Sequence, residues 1–144
     1  VIRAWTTWIC LALSLVLSSC GPRQGSTQDA NEAARQEAAR HLMGQWLLVN
    51  YQPEVPLEPM FASLLAAQYG TMVIDFDGQA LNATGPGVSV QRPYRVTQAT
   101  FNRVTAIVYD QGVAYDVVGE FRGNEFWFVA QSSPWRGRGI LRRR

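Results

Sequence analysis

Between Gln45 and Arg142, apolar and polar residues alternate with a period of two, and turn-forming residues break the alternation at short intervals. That is the pattern of half-buried β-strands joined by tight turns. Eight strands are predicted, at about 45–52, 71–76, 79–84, 87–97, 101–109, 113–121, 125–131 and 135–142. Asp77-Gly78 suits a type I′ hairpin, Gly123-Asn124 a two-residue primed turn, and Asp110-Gln111-Gly112 a three-residue loop with Gly in the left-handed region. Such short turns force neighbouring strands to run antiparallel, giving an up-and-down meander. The long connection from Pro53 to Gly70 changes period. Met60, Phe61, Leu64 and Leu65 share one helical face, Pro59 suits the first turn and Gly70 the C-cap, so a helix is predicted within 56–69. Its apolar face must lie on something, and the mouth of a barrel is the natural surface. Upstream, Asp29 and Glu32 have capping-box spacing, and Ala30 to Met43 reads as a short helix stopped by Gly44. Leu42 and Met43 are its only strong apolar residues, so it is expected to be a spacer rather than core.

The turns also say which residues face one another. Pairing Arg122 with Glu125 sets Phe121 against Phe126, Gly119 against Phe128 and Glu120 against Trp127. Pairing Tyr109 with Val113 sets Ile107 against Tyr115, Thr105 against Val117 and Arg103 against Gly119. One face then collects Phe101, Ile107, Tyr115, Val117, Phe121, Phe126 and Phe128, and a slip of one residue would reverse it. Carried into the 87–97 strand, the same arithmetic turns Val88, Val90, Arg92, Tyr94 and Val96 inward. Arg92 and Arg103 therefore point at the aromatic face, where no acidic residue of these strands joins them. A buried guanidinium needs an anion. An anionic ligand gripped by Arg92 and Arg103, with Tyr94 donating a hydrogen bond and Tyr115, Phe126 and Phe128 lining the site, would supply it. The other reading places both Arg at a rim, reaching water.

At the N-terminus, Arg3 precedes an apolar run from Trp8 to Leu17, too short to span a bilayer. Leu17-Ser18-Ser19-Cys20 follows, small residues ahead of a cysteine. This segment resembles the lipobox signal peptides of bacterial lipoproteins, in which the cysteine is diacylated, the signal is cut in front of it and the new N-terminus is acylated again. The resemblance implies a cleaved signal peptide at 1–19 and a lipidated Cys20. Residues 20–43 are then lipid anchor, tether and spacer helix, and 44–144 the folded domain. Acyl chains contribute about 0.8 kcal/mol per buried CH₂, enough to hold the chain on a membrane. Gly21 stands where an Asp would favour inner-membrane retention in the enterobacterial pattern, which implies the outer membrane, periplasmic face.

The meander opens with Gly44-Gln45-Trp46 and ends with Trp135-Arg136-Gly137-Arg138-Gly139-Ile140-Leu141-Arg142. A Gly-x-Trp opening, eight strands and an Arg near the last strand resemble the lipocalin-like, or calycin, superfamily. The resemblance implies an all-β fold: a small eight-stranded antiparallel up-and-down barrel. The residues add a helix between strands 1 and 2, in place of the family's large lid loop, and a short spacer helix before the barrel, and they show no helix after the last strand; these are departures from the family pattern. Trp46 would plug the closed end, with Arg138 or Arg142 across its ring, a cation–π contact of about 0.5–2 kcal/mol. Arg92-Pro93-Tyr94 is similar to the Arg-x-Tyr with which fatty-acid-binding members hold carboxylates, although there the motif lies on the final strand.

Composition narrows the chemistry. With one His and two Cys, one of them in the signal, the chain has no Cys/His zinc cluster, disulfide framework or multi-His metal site. No nucleophile–base pair can be named, so neither an enzyme nor a cofactor is expected. All 13 basic residues are Arg, a bias typical of a GC-rich genome. Five of them fall in residues 134–144 with no acid among them. Such an end suits an anionic lipid surface, and equally a solvated terminus. Nucleic acid is a poor partner for an exported protein. Two functions stand: a lipoprotein holding a small apolar, anionic, fatty-acid-like ligand in its barrel, or a ligand-free lipoprotein docking on an envelope protein complex.

Overall fold

The computed structural model describes residues 26–132 and 136–144. The expected signal peptide, Cys20, the segment from Gly21 to Gly25 and Trp135 lie outside those residues. The elements are α1 (Ser26–Leu42), β1 (Gly44–Pro53), α2 (Pro59–Ala66), β2 (Val73–Phe76), β3 (Ala80–Gly85), β4 (Val88–Ala99), β5 (Arg103–Asp110), β6 (Val113–Arg122), β7 (Glu125–Ala130) and β8 (Gly137–Arg143). Each strand pairs antiparallel with the next and β8 returns to β1, closing the predicted eight-stranded barrel. Closure leaves no unpaired edge.

The β6–β7 register is the predicted one: Phe121 pairs with Phe126, Gly119 with Phe128 and Glu120 with Trp127. The β5–β6 register differs by one residue. Gln111 and Gly112 both take positive φ, 50° and 81°, making a two-residue turn of the I′ kind. Asp110 therefore pairs with Val113 instead of lying in a three-residue loop. The slip reverses β5, so Val104 and Ala106 are buried and Arg103 and Ile107 point outward. Phe101 leaves the expected inward face and stands fully exposed in a bend. The β2–β3 turn also departs from I′: only Gly78 has positive φ, 97°, and Asp77 Oδ1 accepts the amides of Gln79 and Ala80 at 2.8 and 2.6 Å.

Inside, large and small residues alternate across strands. Phe128 of β7 lies between Gly119 of β6 and Gly139 of β8. A Cβ on Gly119 would fall 2.0 Å from Phe126, and one on Gly139 would fall 2.4 Å from Phe128. The glycines make room for rings laid against the wall. Trp46, Phe121, Phe126, Phe128 and Tyr51 form a continuous column with centroids 4.9–6.4 Å apart, and Phe76 meets Tyr94 edge-on at 5.3 Å.

The first helix is more than a spacer. Ala38 and Leu42, one turn apart, are buried with the barrel core, and the Trp46 indole donates to the Leu42 carbonyl at 2.8 Å. α1 thus stops the end at which β1 begins, crossing β4 and β5. Two small or apolar residues at i and i+4 suffice, because a stopper needs only one narrow face. At the opposite end α2 carries Met60, Phe61 and Leu64 more than half exposed. Its face is not laid on the barrel as expected.

Candidate functional site

The closed end is built around Trp46, which is fully buried. Its stacking partner is Arg143, 4.9 Å from the ring centroid, and neither Arg138 nor Arg142. Strand parity decides this. Leu141 is buried, so Arg143 shares the inward side while Arg138 and Arg142 face out. Arg143 also donates to the carbonyls of His41 and Met43 at 2.8 and 3.0 Å, fastening α1 to the last strand. Gly44, at φ 104°, makes the sharp entry from helix to strand, and His41 stacks on Phe121 at 4.3 Å. Outside, Glu125 accepts from Arg142 at 2.9 Å and from the Trp127 indole at 2.9 Å. Those bonds, Arg142 first, hold its carboxyl below the usual carboxylate range.

Of the ligand-site candidates, Arg92 and Tyr115 lie toward the open end, whereas Phe126 packs on Trp46 and Arg103 starts β5 at the closed end. Arg92 points inward as predicted, but it meets Asp110, with Nε 2.7 Å from Oδ1. The same one-residue slip that expelled Arg103 turned Asp110 inward beside Arg92. The pair is close enough for charge neutralisation but off-line for a hydrogen bond, since Asp110 Oδ1 accepts none. Tyr94 lies deeper, buried against Phe76, and burial raises its phenol pKa. Tyr115 is half-buried on the inward side opposite Val108, whereas Phe126 and Phe128 belong to the ring column. The six expected ligand residues are therefore not brought together. Arg92 and Tyr115 share the mouth, Tyr94, Phe126 and Phe128 are packing, and Arg103 is on the outer wall beside Glu120.

Sequence reasoning missed Asp110 at the mouth, concealed by its resemblance to a turn residue. Under α2, the helix expected over the mouth, lies a cleft of about 410 Å³ against β1, lined by Tyr51, Pro53, Leu57, Leu65 and Tyr69 among others. The Tyr69 hydroxyl donates to the Tyr51 carbonyl at 2.6 Å, and burial raises the Tyr51 phenol pKa. Gln68, 4 % exposed, donates to the Leu64 and Pro86 carbonyls and ties α2 to the β3–β4 turn. Among the described residues no group of three or more His, Cys, Asp or Glu is placed to hold a metal ion. No described helix is long and apolar enough to cross a membrane.

No protein-family model, curated protein or solved structure matches the chain.

Proposed function

We propose that the chain is a bacterial lipoprotein, acylated at Cys20 and held at the periplasmic face of the outer membrane, that works by surface contact with an envelope protein. The barrel is a rigid platform in this reading rather than a carrier. One observation carries the choice: the inward cation expected to await an anionic ligand, Arg92, is neutralised by Asp110 at 2.7 Å. The ring column below it supports the same choice. The contact surface is α2 with the segment before it, where Val55, Leu57, Met60, Phe61 and Leu64 are all exposed. From Val55 to Ile74 the one charge is Glu58, which an anionic headgroup layer would repel, so this crest suits an apolar protein surface better. It also stands at the end of the barrel opposite α1, from which the tether leaves.

The carrier reading keeps one observation in its favour, the cleft under α2, which a short acyl chain would fit. A thermal-shift panel of fatty acids separates the two. A platform gives no shift across the panel. A saturable stabilisation lost in Leu65→Asp, on the cleft wall, would establish the carrier instead. Metabolic labelling with a palmitate analogue tests the anchor: the wild type should label and Cys20→Ala should not.

A further inference from the structure

Several chain segments converge on one corner of the closed end. The Phe121 amide donates to the Asn102 carbonyl at 2.8 Å, the Arg143 amide to the Asn124 carbonyl at 2.8 Å, and the Arg144 amide to the Gln45 carbonyl at 3.0 Å. These bonds join the Thr100–Asn102 bend, the Gly123-Asn124 turn and the last strand into one surface. It carries Arg103, Arg122, Arg142, Arg143 and Arg144 against Glu120 and Glu125, with Asp75 across the strand from Gln45, five cations against three acids. Both glutamates are engaged, Glu120 with Arg122 at 3.2 Å and Glu125 with Arg142 at 2.9 Å. Arg143 is held over Trp46. Arg103 and Arg144 are exposed and have no ion-pair partner among the described residues. The corner is therefore cationic after its internal pairs are counted.

At the tip of the bend, two residues before Arg103, the Phe101 ring is fully exposed. Burial within the fold gives no reason for it. A ring at a hairpin tip, on a bend that adjoins these Arg-bearing segments, matches a bilayer interface: the aromatic enters at headgroup depth and the Arg side chains bind phosphate. The location agrees. α1 packs on this end through Ala38 and Leu42; Ser26 lies 16 residues, about 24 Å, along the helix from Leu42, and Cys20 lies six residues further, about 20 Å when extended, a reach that lets the corner meet the bilayer holding the anchor.

We infer that this corner is a membrane-contact face. Phe101 inserts into the interface of an anionic bilayer while Arg103, Arg122 and Arg144 bind its phosphates, and the barrel is oriented with α2 pointing away from the lipid. The inference deepens the tethered reading by supplying a second membrane signal beside the acyl chains. It takes its location from that reading and its chemistry from the corner alone.

Every described element lies within residues 26–144, so a chain starting at Ser26 keeps all the described contacts and isolates the corner from the anchor. The experiment is flotation with phosphatidylcholine vesicles, with or without about 30 % phosphatidylglycerol. Binding is expected to the anionic vesicles only and should fall away near 0.5 M salt. Arg103→Gln with Arg144→Gln should weaken it about 25-fold, fivefold per charge, and Phe101→Ser about tenfold. All these variants should melt like the wild type, because Phe101 is fully exposed and Arg103 and Arg144 are exposed with no ion-pair partner among the described residues. Absence of binding, equal binding to neutral vesicles, or indifference to Phe101→Ser overturns the inference. Displacement by soluble polyglutamate with no dependence on Phe101 also overturns it and reassigns the corner to an acidic protein. A protein that fails to label at Cys20 leaves these results intact. A labelled protein whose corner ignores anionic vesicles removes this inference alone.

Discussion

Replacing Gly119 by Ala adds one methyl group at the place where the interior is tightest. Its Cβ would lie 2.0, 2.4 and 2.8 Å from three carbons of the Phe126 ring edge, against about 3.5–4.0 Å for carbons in contact. The ring must therefore retreat by about 1.5 Å. It has nowhere to go: Phe126 is 5 % exposed, with Phe121 at 4.9 Å, Trp46 at 6.2 Å and Phe128 at 6.4 Å. Overpacking of this kind costs about 1–3 kcal/mol. At about 120 folded residues each kcal/mol moves Tm by roughly 3–6 °C, so a drop of about 5–15 °C is expected. Phe126→Leu alone should destabilise by ~1–2 kcal/mol through the space it opens. Combined, the two changes should cost at least about 1 kcal/mol less than their sum, because the new methyl occupies part of that space. Thermal and urea melts followed by circular dichroism measure all three. If Gly119→Ala melts within a degree of the wild type, or the pair is strictly additive, the ring is free to move into open space and the interior is not packed as described.

Arg143→Gln, which removes the guanidinium from Trp46 and from two helix-end carbonyls, should cost about 1–3 kcal/mol and red-shift tryptophan emission. Arg142→Gln, exposed on the outer wall, should cost under about 1 kcal/mol; equal effects would refute the assignment of Arg143 as the closing residue. Asp110→Asn leaves the half-buried Arg92 without its counter-charge and should destabilise by roughly 1 kcal/mol or more, recovered in Asp110→Asn with Arg92→Met; a neutral Asp110→Asn would mean that the pair does not form. Folding lowers the carboxyl pKa of Glu125, chiefly through Arg142, and of Asp77, through the amides of Ala80 and Gln79. Their stabilisation is therefore complete above the ordinary carboxylate range and lost as pH falls below about 4. Glu125→Gln should flatten the acid limb of a Tm-against-pH curve, and an unchanged limb would contradict the bonds drawn to it.

The barrel was legible because period-two alternation and turn chemistry agree along most of the chain. Gly123 placed the β6–β7 register to the residue. β5 was misread because the left-handed turn position belongs to Gln111, a residue type that does not advertise positive φ, while Asp110 looked like the turn residue. That single offset moved Arg103 to the wall and hid the partner of Arg92, so most of the expected ligand site was lost with it. On β8, Ile140 and Leu141 are adjacent apolar residues and Gly137 and Gly139 have no side chain to show a face, so parity could not be read and Arg143 was passed over. The helix stopper was missed because Ala38 counts little in hydropathy yet fits a narrow contact. The exposed Phe101 looked like core because alternation carries no information about where a strand stops.

Native mass spectrometry of a chain starting at Ser26, exported behind a cleavable signal and purified without detergent, asks most directly whether the barrel is a platform. The expected spectrum is the bare polypeptide mass, unchanged in Asp110→Asn. A stoichiometric lipid adduct on the wild type that disappears in Arg92→Met would show that the barrel is a container after all.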